Sequence, residues 1–431
     1  MKHWIKVFLC LVTVSWCYAQ PKMMTREEAG KIVLRFCKIG NYPGRIHWLT
    51  KKDLPEKQEV HEMDTELIRR LAKEGKDWAV TMVDYNATWF GVKEPYSTCY
   101  TFLISFPQWP DRLSKARVNA YTGYCEIWPF RKRDETNEEL GYGRLPVKTF
   151  KELKGIALNI AEQLLGSGTF EVFDEPYDLS NPEDYNLVSK RCVHFLIFKK
   201  DPKTGAHLPK MVQLVLNPRT GMMEAGCLYN RPVTVSTTPT ITEAQAKQAI
   251  TKYVNQLGFE VVEWLPHGYH CGKIIHNTAL GRDAVVGLYV FEGPFLEQYL
   301  MWMSIFAYKW NNETRLEMLM VNAHTGEVME FSSKNAMLIN GKLVYLCSKM
   351  ISSNGQVYIP ANLAYGLGAK WNGTKLIGSK GAIVVRDILR RNGQLYLPLP
   401  IICKVSGIRL SWDEKLKIPI LEVEWLRKYR K

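Results

Sequence analysis

Three stretches of the chain carry the same pattern of polar and apolar positions. Each opens Thr-x-x-Glu or Thr-x-x-Gln: Thr25-Arg26-Glu27-Glu28, Thr149-Phe150-Lys151-Glu152 and Thr242-Glu243-Ala244-Gln245. At this spacing a hydroxyl and a carboxylate or amide satisfy each other's orphan amides at a helix start. The apolar stripe then begins at the same phase every time. Ala29, Ile32, Val33 and Phe36 follow the first threonine; Leu153, Ile156, Ala157, Ile160, Ala161 and Leu164 the second; Ala246, Ala249, Ile250, Tyr253, Val254 and Leu257 the third. Apolar positions three and four apart predict amphipathic helices that must lie on something.

Downstream, each segment closes with two runs of strand character around a Thr-Gly turn, within Val118-Asn119-Ala120-Tyr121-Thr122-Gly123, Leu216-Asn217-Pro218-Arg219-Thr220-Gly221 and Val321-Asn322-Ala323-His324-Thr325-Gly326. Glycine accepts the positive φ of such a turn. The expected unit is a capped helix on an antiparallel sheet, repeated three times. The pattern resembles the PepSY domain over residues 24–130, 148–232 and 240–332, with a linker at 131–147 and a long insertion in the first unit around Trp48 to Lys93. PepSY units occur in propeptides of secreted peptidases and in envelope proteins, so the resemblance implies an inhibitory or peptidase-associated role.

A fourth region repeats within itself. Asn354-Gly355-Gln356-Val357-Tyr358-Ile359-Pro360 and Asn392-Gly393-Gln394-Leu395-Tyr396-Leu397-Pro398 each precede an apolar helical run, a glycine (Gly366, Gly407) and Trp371-Asn372 or Trp412-Asp413. Residues 337–422 resemble the copper amine oxidase N-terminal-like (stalk) domain. That domain is not the catalytic one of those oxidases, so neither copper nor amine oxidation is implied. The overall expectation is an α+β chain of tandem small domains ending in a basic tail at 423–431.

The N-terminus changes the compartment. Lys2 and Lys6 precede an apolar stretch from Phe8 to Val14 and a small-x-small exit at Cys17-Tyr18-Ala19 before Gln20, the order of a secretory signal cleaved between Ala19 and Gln20. An uncleaved anchor is the alternative. The formal charge of +14 then meets an extracellular setting, where anionic wall polymer or lipid headgroups are the natural partners and nucleic acid is not. Hydrophobic content of 46% with 12% aromatic argues for packed domains and against disorder. Loss of Cys10 and Cys17 leaves an even number of cysteines, which an oxidising compartment can pair. Comparison of the units suggests bridges Cys99 to Cys125 and Cys192 to Cys227, with Cys347 to Cys403 in the fourth region; buried thiols are the competing expectation.

Catalytic signatures do not emerge. His61-Glu62 lacks a second histidine at helical spacing, and the nucleophile-elbow, P-loop and dinucleotide glycine patterns are missing. The densest group of metal-binding residue types is His267, His270, Cys271 and His276. A closed site needs three or four ligands that converge, and spacing alone does not bring these together. We read them as part of a connecting loop, with no cofactor. Trp109, Trp128, Trp302, Trp310, Trp371 and Trp412 are expected in cores between helix and sheet. The sequence thus points to a secreted or wall-associated, non-catalytic binding protein whose partner is a peptidase, another envelope protein or wall polymer. A structural or self-associating assembly protein is the second reading, and a hydrolase with dispersed catalytic residues the third.

Overall fold

The computed structural model describes residues 21–47, 56–57, 95–132, 135–174, 176–266, 286–310, 313–329, 335–414 and 417–427. All three capping boxes form, and they set where the helices begin. Helices α1 (Arg26–Ile39), α2 (Phe150–Leu165) and α4 (Glu243–Gln256) start behind Thr25, Thr149 and Thr242. The threonine hydroxyls accept from the Glu28, Glu152 and Gln245 amides at 3.2, 3.3 and 3.3 Å. The same residues' side-chain oxygens accept from the threonine amides at 2.6, 2.7 and 2.8 Å. An additional helix in the second unit, α3 (Pro182–Lys190), has Pro182 in its first turn and is capped by Asn181 Oδ1, which accepts from the Glu183 amide at 2.9 Å.

The three helices lie on strands that join into one sheet. The first unit contributes β1 (Arg45–His47), β2 (Glu56–Lys57), β3 (Thr98–Phe106), β4 (Trp109–Asn119) and β5 (Cys125–Ile127). The second contributes β6 (Thr169–Asp174), β7 (Val193–Lys200), β8 (His207–Leu216) and β9 (Met223–Asn230); the third, β10 (Val261–Trp264), β11 (Gly287–Glu292), β12 (Gln298–Trp310) and β13 (Glu313–Asn322). The order β1-β3-β4-β5-β9-β8-β11-β12-β10 runs through all three units, with β2 on β3, β6 and β7 branching from β8, and β13 on β12. The architecture is α+β, as the patterning predicts.

Units one and two meet through their last strands. Cys125, Glu126 and Ile127 of β5 lie antiparallel to Leu228, Cys227 and Gly226 of β9. Above this seam α1 packs beside α2, and Arg35 Nη2 donates to the Gln163 carbonyl at 2.6 Å. Phe36 sits so close over Gly226 that a Cβ there would come within 2.9 Å of its ring. Glycine is what allows the first unit's helix to straddle the second unit's strand.

The helix-free faces of units two and three share a further core. Leu196, Phe198, Met211 and Tyr229 from the second unit pack with Tyr299, Met301, Met303, Ile305, Met318 and Met320 from the third. On the opposite face of the third unit, Ala246, Ile250 and Val254 of α4 pack against Phe306, Tyr308 and Val321. Strand β12 is therefore buried on both sides, which explains its near-continuous apolar sequence from Tyr299 to Tyr308.

The fourth region comprises β14 (Ala336–Ile339), β15 (Lys342–Tyr345), β16 (Ile351–Ser353), β17 (Gln356–Pro360), β18 (Ala369–Trp371), β19 (Lys375–Gly378), β20 (Gly381–Val384), β21 (Leu389–Arg391), β22 (Gln394–Pro398), α5 (Leu399–Ser406), β23 (Arg409–Asp413), β24 (Ile418–Glu422) and α6 (Glu424–Arg427). Its sequence repeat becomes a local two-fold: Tyr358 faces Pro398, Ile359 faces Leu397 and Pro360 faces Tyr396 across β17 and β22. Only the second of its two expected helices forms in full. The first stops at a single 3-10 turn, Ala361–Leu363. Gly366 follows that turn so close to the third unit that a Cβ on it would overlap the Phe295 carbonyl oxygen. The supposed tail also begins as structure, because α6 brings Trp425 to within 6.1 Å of the Tyr96 ring.

Candidate functional site

The residues that make the repeats recognisable are spent on corners. In each unit the asparagine before the Thr-Gly turn is buried and its Oδ1 accepts from two backbone amides. Asn119 takes Tyr121 and Thr122, both at 2.9 Å; Asn217 takes Arg219 and Thr220 at 2.9 and 3.0 Å; Asn322 takes His324 and Thr325 at 2.9 and 3.1 Å. The glycines stand at φ 73°, 74° and 75°. The segment leading into each helix then fastens to its corner. Met24, Lys148 and Ile241 amides donate to Ala120, Pro218 and Ala323 carbonyls at 2.8, 2.8 and 3.1 Å. The shared motif joins the start of the helix to the end of the sheet, which is a structural task.

Titratable side chains are likewise consumed between units. Arg131 donates to Glu224 through Nε at 2.7 Å and Nη2 at 2.5 Å, and Nη2 also reaches Asn137 Oδ1 at 2.7 Å. Asn217 Nδ2 donates to Glu224 Oε1 at 2.7 Å and to Asn137 Oδ1 at 2.9 Å, while Cys192 Sγ lies 3.0 Å from Glu224 Oε2. Glu224 is only 1% exposed. A buried carboxylate of this kind persists because its oxygens are saturated by donors. A second cluster sets Tyr229 Oη 2.7 Å and Arg231 Nε 3.0 Å from the Glu292 carboxylate. In a third, Glu171 Oε2 lies 2.8 Å from His207 Nε2 and 2.7 Å from Lys200 Nζ; the His207 contact foremost holds the carboxyl down at about 2.

The cysteine pairings expected from sequence do not form. Among the described residues no disulfide joins Cys99 to Cys125, Cys192 to Cys227 or Cys347 to Cys403. Cys99 on β3 faces Asn119 of β4, whereas Cys125 on β5 faces Val118 on the other side of that strand. Likewise β8 separates β7, which Cys192 precedes, from Cys227 on β9. Neighbouring strands lie about 4.8 Å apart, so two strand spacings exceed the reach of a bridge. Cys347 packs in the core shared by units two and three, and Cys403 packs in the core around α5.

The expected cleavage pair Ala19 and Gln20, and the His267, His270, Cys271 and His276 group, lie outside the described residues. No described helix is long and apolar enough to cross a membrane. Of the tryptophans, Trp109 stacks on Phe130 with ring centroids 5.2 Å apart, and Trp302 Nε1 donates to the Ile241 carbonyl at 3.0 Å. Trp128 and Trp371 are half-buried. Trp412 corrects the core expectation, at 44% exposed: it lies on β23, at the end of the β15-β14-β24-β23 sheet. The Trp310 side chain is outside the described ones.

The last strands of the first two repeats join those units. In the first unit β5 pairs with β4, and in the second β9 pairs with β8; β5 and β9 then pair with each other. In the third unit the described part of the equivalent pairing is the bridge of Val321 with Val328, and residues 330–334, which follow it, lie outside the described residues. Asn322 N donates outward to Glu327 O at 2.8 Å, and Met320 O accepts from Met329 N at 2.8 Å. β13 runs beside β12 in unbroken register from Glu313 to Asn322, and the Met318 amide donates to Glu317 Oε1 at 3.1 Å. The candidate site is the seam where β5 meets β9, with Arg131, Asn137, Glu224 and Asn217 packed against it. Sequence reading missed it because pairing partners are non-local.

No protein-family model matches the chain, and no curated protein matches it. Among solved structures, the Bacillus megaterium YpeB C-terminal domain is similar at 11% identity, covering 76% of this chain and 100% of that chain, with a TM-score of 0.30.

Proposed function

We propose that this is an exported, non-catalytic binding protein that offers the surface of its joined repeats to a protein partner. The carrying observation is that the repeat motifs and the buried charged groups join units to one another: β5 pairs with β9, and Arg131, Asn137, Glu224 and Asn217 satisfy each other at that seam. The PepSY resemblance supports a peptidase or another envelope protein as the class of partner, and the signal-like N-terminus supports work outside the membrane.

Hydrogen exchange tests this. The tagged chain is incubated with secreted and envelope fractions of its host, and any stoichiometric complex is examined for amide protection. A stoichiometric complex with one secreted or envelope protein, with slowed exchange over a contiguous surface of the repeats, is the expected result. Failure to recover any stoichiometric partner would contradict the binding reading.

A further inference from the structure

We infer that the fourth region docks on an anionic phospholipid surface, and that the open side of its β18-β19-β20 sheet is the face that touches lipid. This goes beyond the protein partner proposed for the repeats and stands independently of it.

The chain's charge is gathered in this region. Residues 335–431 hold 16 of the 57 Lys and Arg but 5 of the 43 Asp and Glu, which places +11 of the +14 formal charge in less than a quarter of the sequence. From Lys349 to Arg409, nine cations accompany one acid, Asp387. Two of the region's other carboxylates have cations of their own: Glu422 pairs with Arg409 and Glu414 with Lys417.

Sheet geometry sorts these residues by face. Lys370 lies opposite Ile377, Ile377 opposite Ala382 and Lys375 opposite Val384, so alternation sets all five side chains on one side. Ala369, Leu376 and Ile383 fall on the other, where they share a core with Ile402 and Val405 of α5. The open side has no such cover: Lys370, Lys375, Ala382 and Val384 are exposed, Val384 by 54%. Lys380 and Arg386, also exposed, bracket β20. Among the described residues none of these four cations has a carboxylate partner. The face is also preformed. Lys380 N donates to the Val405 carbonyl at 2.8 Å and Ser379 Oγ to the Ser406 carbonyl at 3.1 Å, which fastens the β19–β20 turn to the end of α5.

Two properties of the face choose its ligand. Four cations without a carboxylate partner call for an array of anions. An exposed valine beside Ile377 and Ala382 calls for an apolar layer behind those anions. Headgroups over acyl chains supply both at one surface, whereas a soluble polyanion leaves the apolar residues in water.

Co-sedimentation of the purified full chain with large vesicles tests the proposal, using phosphatidylcholine alone and phosphatidylcholine with about a third phosphatidylglycerol. Binding to the anionic vesicles and not to the neutral ones is expected, weaker at about 0.5 M salt than at about 0.1 M. Each cation near such a surface strengthens binding about fivefold, so Lys370→Gln with Lys375→Gln should weaken it by about tenfold or more. Lys370→Arg with Lys375→Arg should bind like wild type. Val384→Ser should weaken binding by about threefold at both salt concentrations, which a purely electrostatic contact would not do. All three positions are exposed, so melting curves should be unchanged.

Equal binding to neutral and anionic vesicles overturns the proposal, as does anionic binding that the glutamine pair leaves intact. A Val384→Ser chain that binds like wild type contradicts lipid contact at this face. A chain that ignores vesicles but is retained through the same lysines by soluble poly(glycerol phosphate) shows a polymer to be the ligand and overturns the lipid assignment.

Discussion

Single residues carry the repeat's geometry, and their costs differ by what else they hold. Asn119, Asn217 and Asn322 make the same two corner bonds, but Asn217 also donates to Glu224 and Asn137 inside the seam. Replacing Asn322 by alanine should cost about 1–2 kcal/mol, and Asn217→Ala clearly more, because it also strips a donor from a buried carboxylate. Denaturant unfolding of the two variants gives the comparison. Two carboxylates tilt stability with pH in opposite senses. Glu171, held at about 2 against an ordinary 4.5, contributes stability that is present above pH 4.5 and lost as pH falls towards 2. Glu317, raised to about 7, binds a proton more readily folded than unfolded, so stability falls as pH rises from 4.5 to 7. Melting curves should show Glu317→Gln gaining on wild type above pH 7 and little below 4.5. Glu171→Gln should lose its deficit in acid.

Elements were legible where their causes are local. The capping boxes and stripes placed α1, α2 and α4, and the Thr-Gly corners placed the ends of β4, β8 and β13, because each depends on residues within a few positions. Replacing Thr149 by alanine removes one such cause and should cost about 1 kcal/mol. Helix α3 had a local signal too, Asn181 followed by Pro182, though it lacks the capping box that marked the others. The short turn at Ala361–Leu363 escaped because its apolar run matches that of α5. What differs is tertiary: Gly366 lies against Phe295, and Tyr96 Oη donates to the Gly366 carbonyl. Gly366→Ala should therefore loosen the fourth region from the third unit and lower the melting temperature, whereas alanine at exposed Gly355 would test only its turn. The cysteines misled for the same reason. Recurrence in corresponding strands says nothing of the strand between them.

At the scale of the whole molecule, three repeats that read as separate small domains share one sheet, and the buried seam between the first two is held by Arg131, Glu224, Asn137 and Asn217. Breaking it at Glu224→Ala strands a guanidinium and should cost about 3–5 kcal/mol. Such pairing between distant strands was not readable from patterning, since edge groups look alike whether mated or exposed. The direct measurement of that joining is residue-resolved hydrogen exchange of the wild-type chain alongside Glu224→Ala. The account predicts that the β5 and β9 amides at the seam are protected in wild type and exchange faster in the variant, while the amides between β12 and β13 stay protected in both. Seam amides that exchange rapidly in wild type would contradict it.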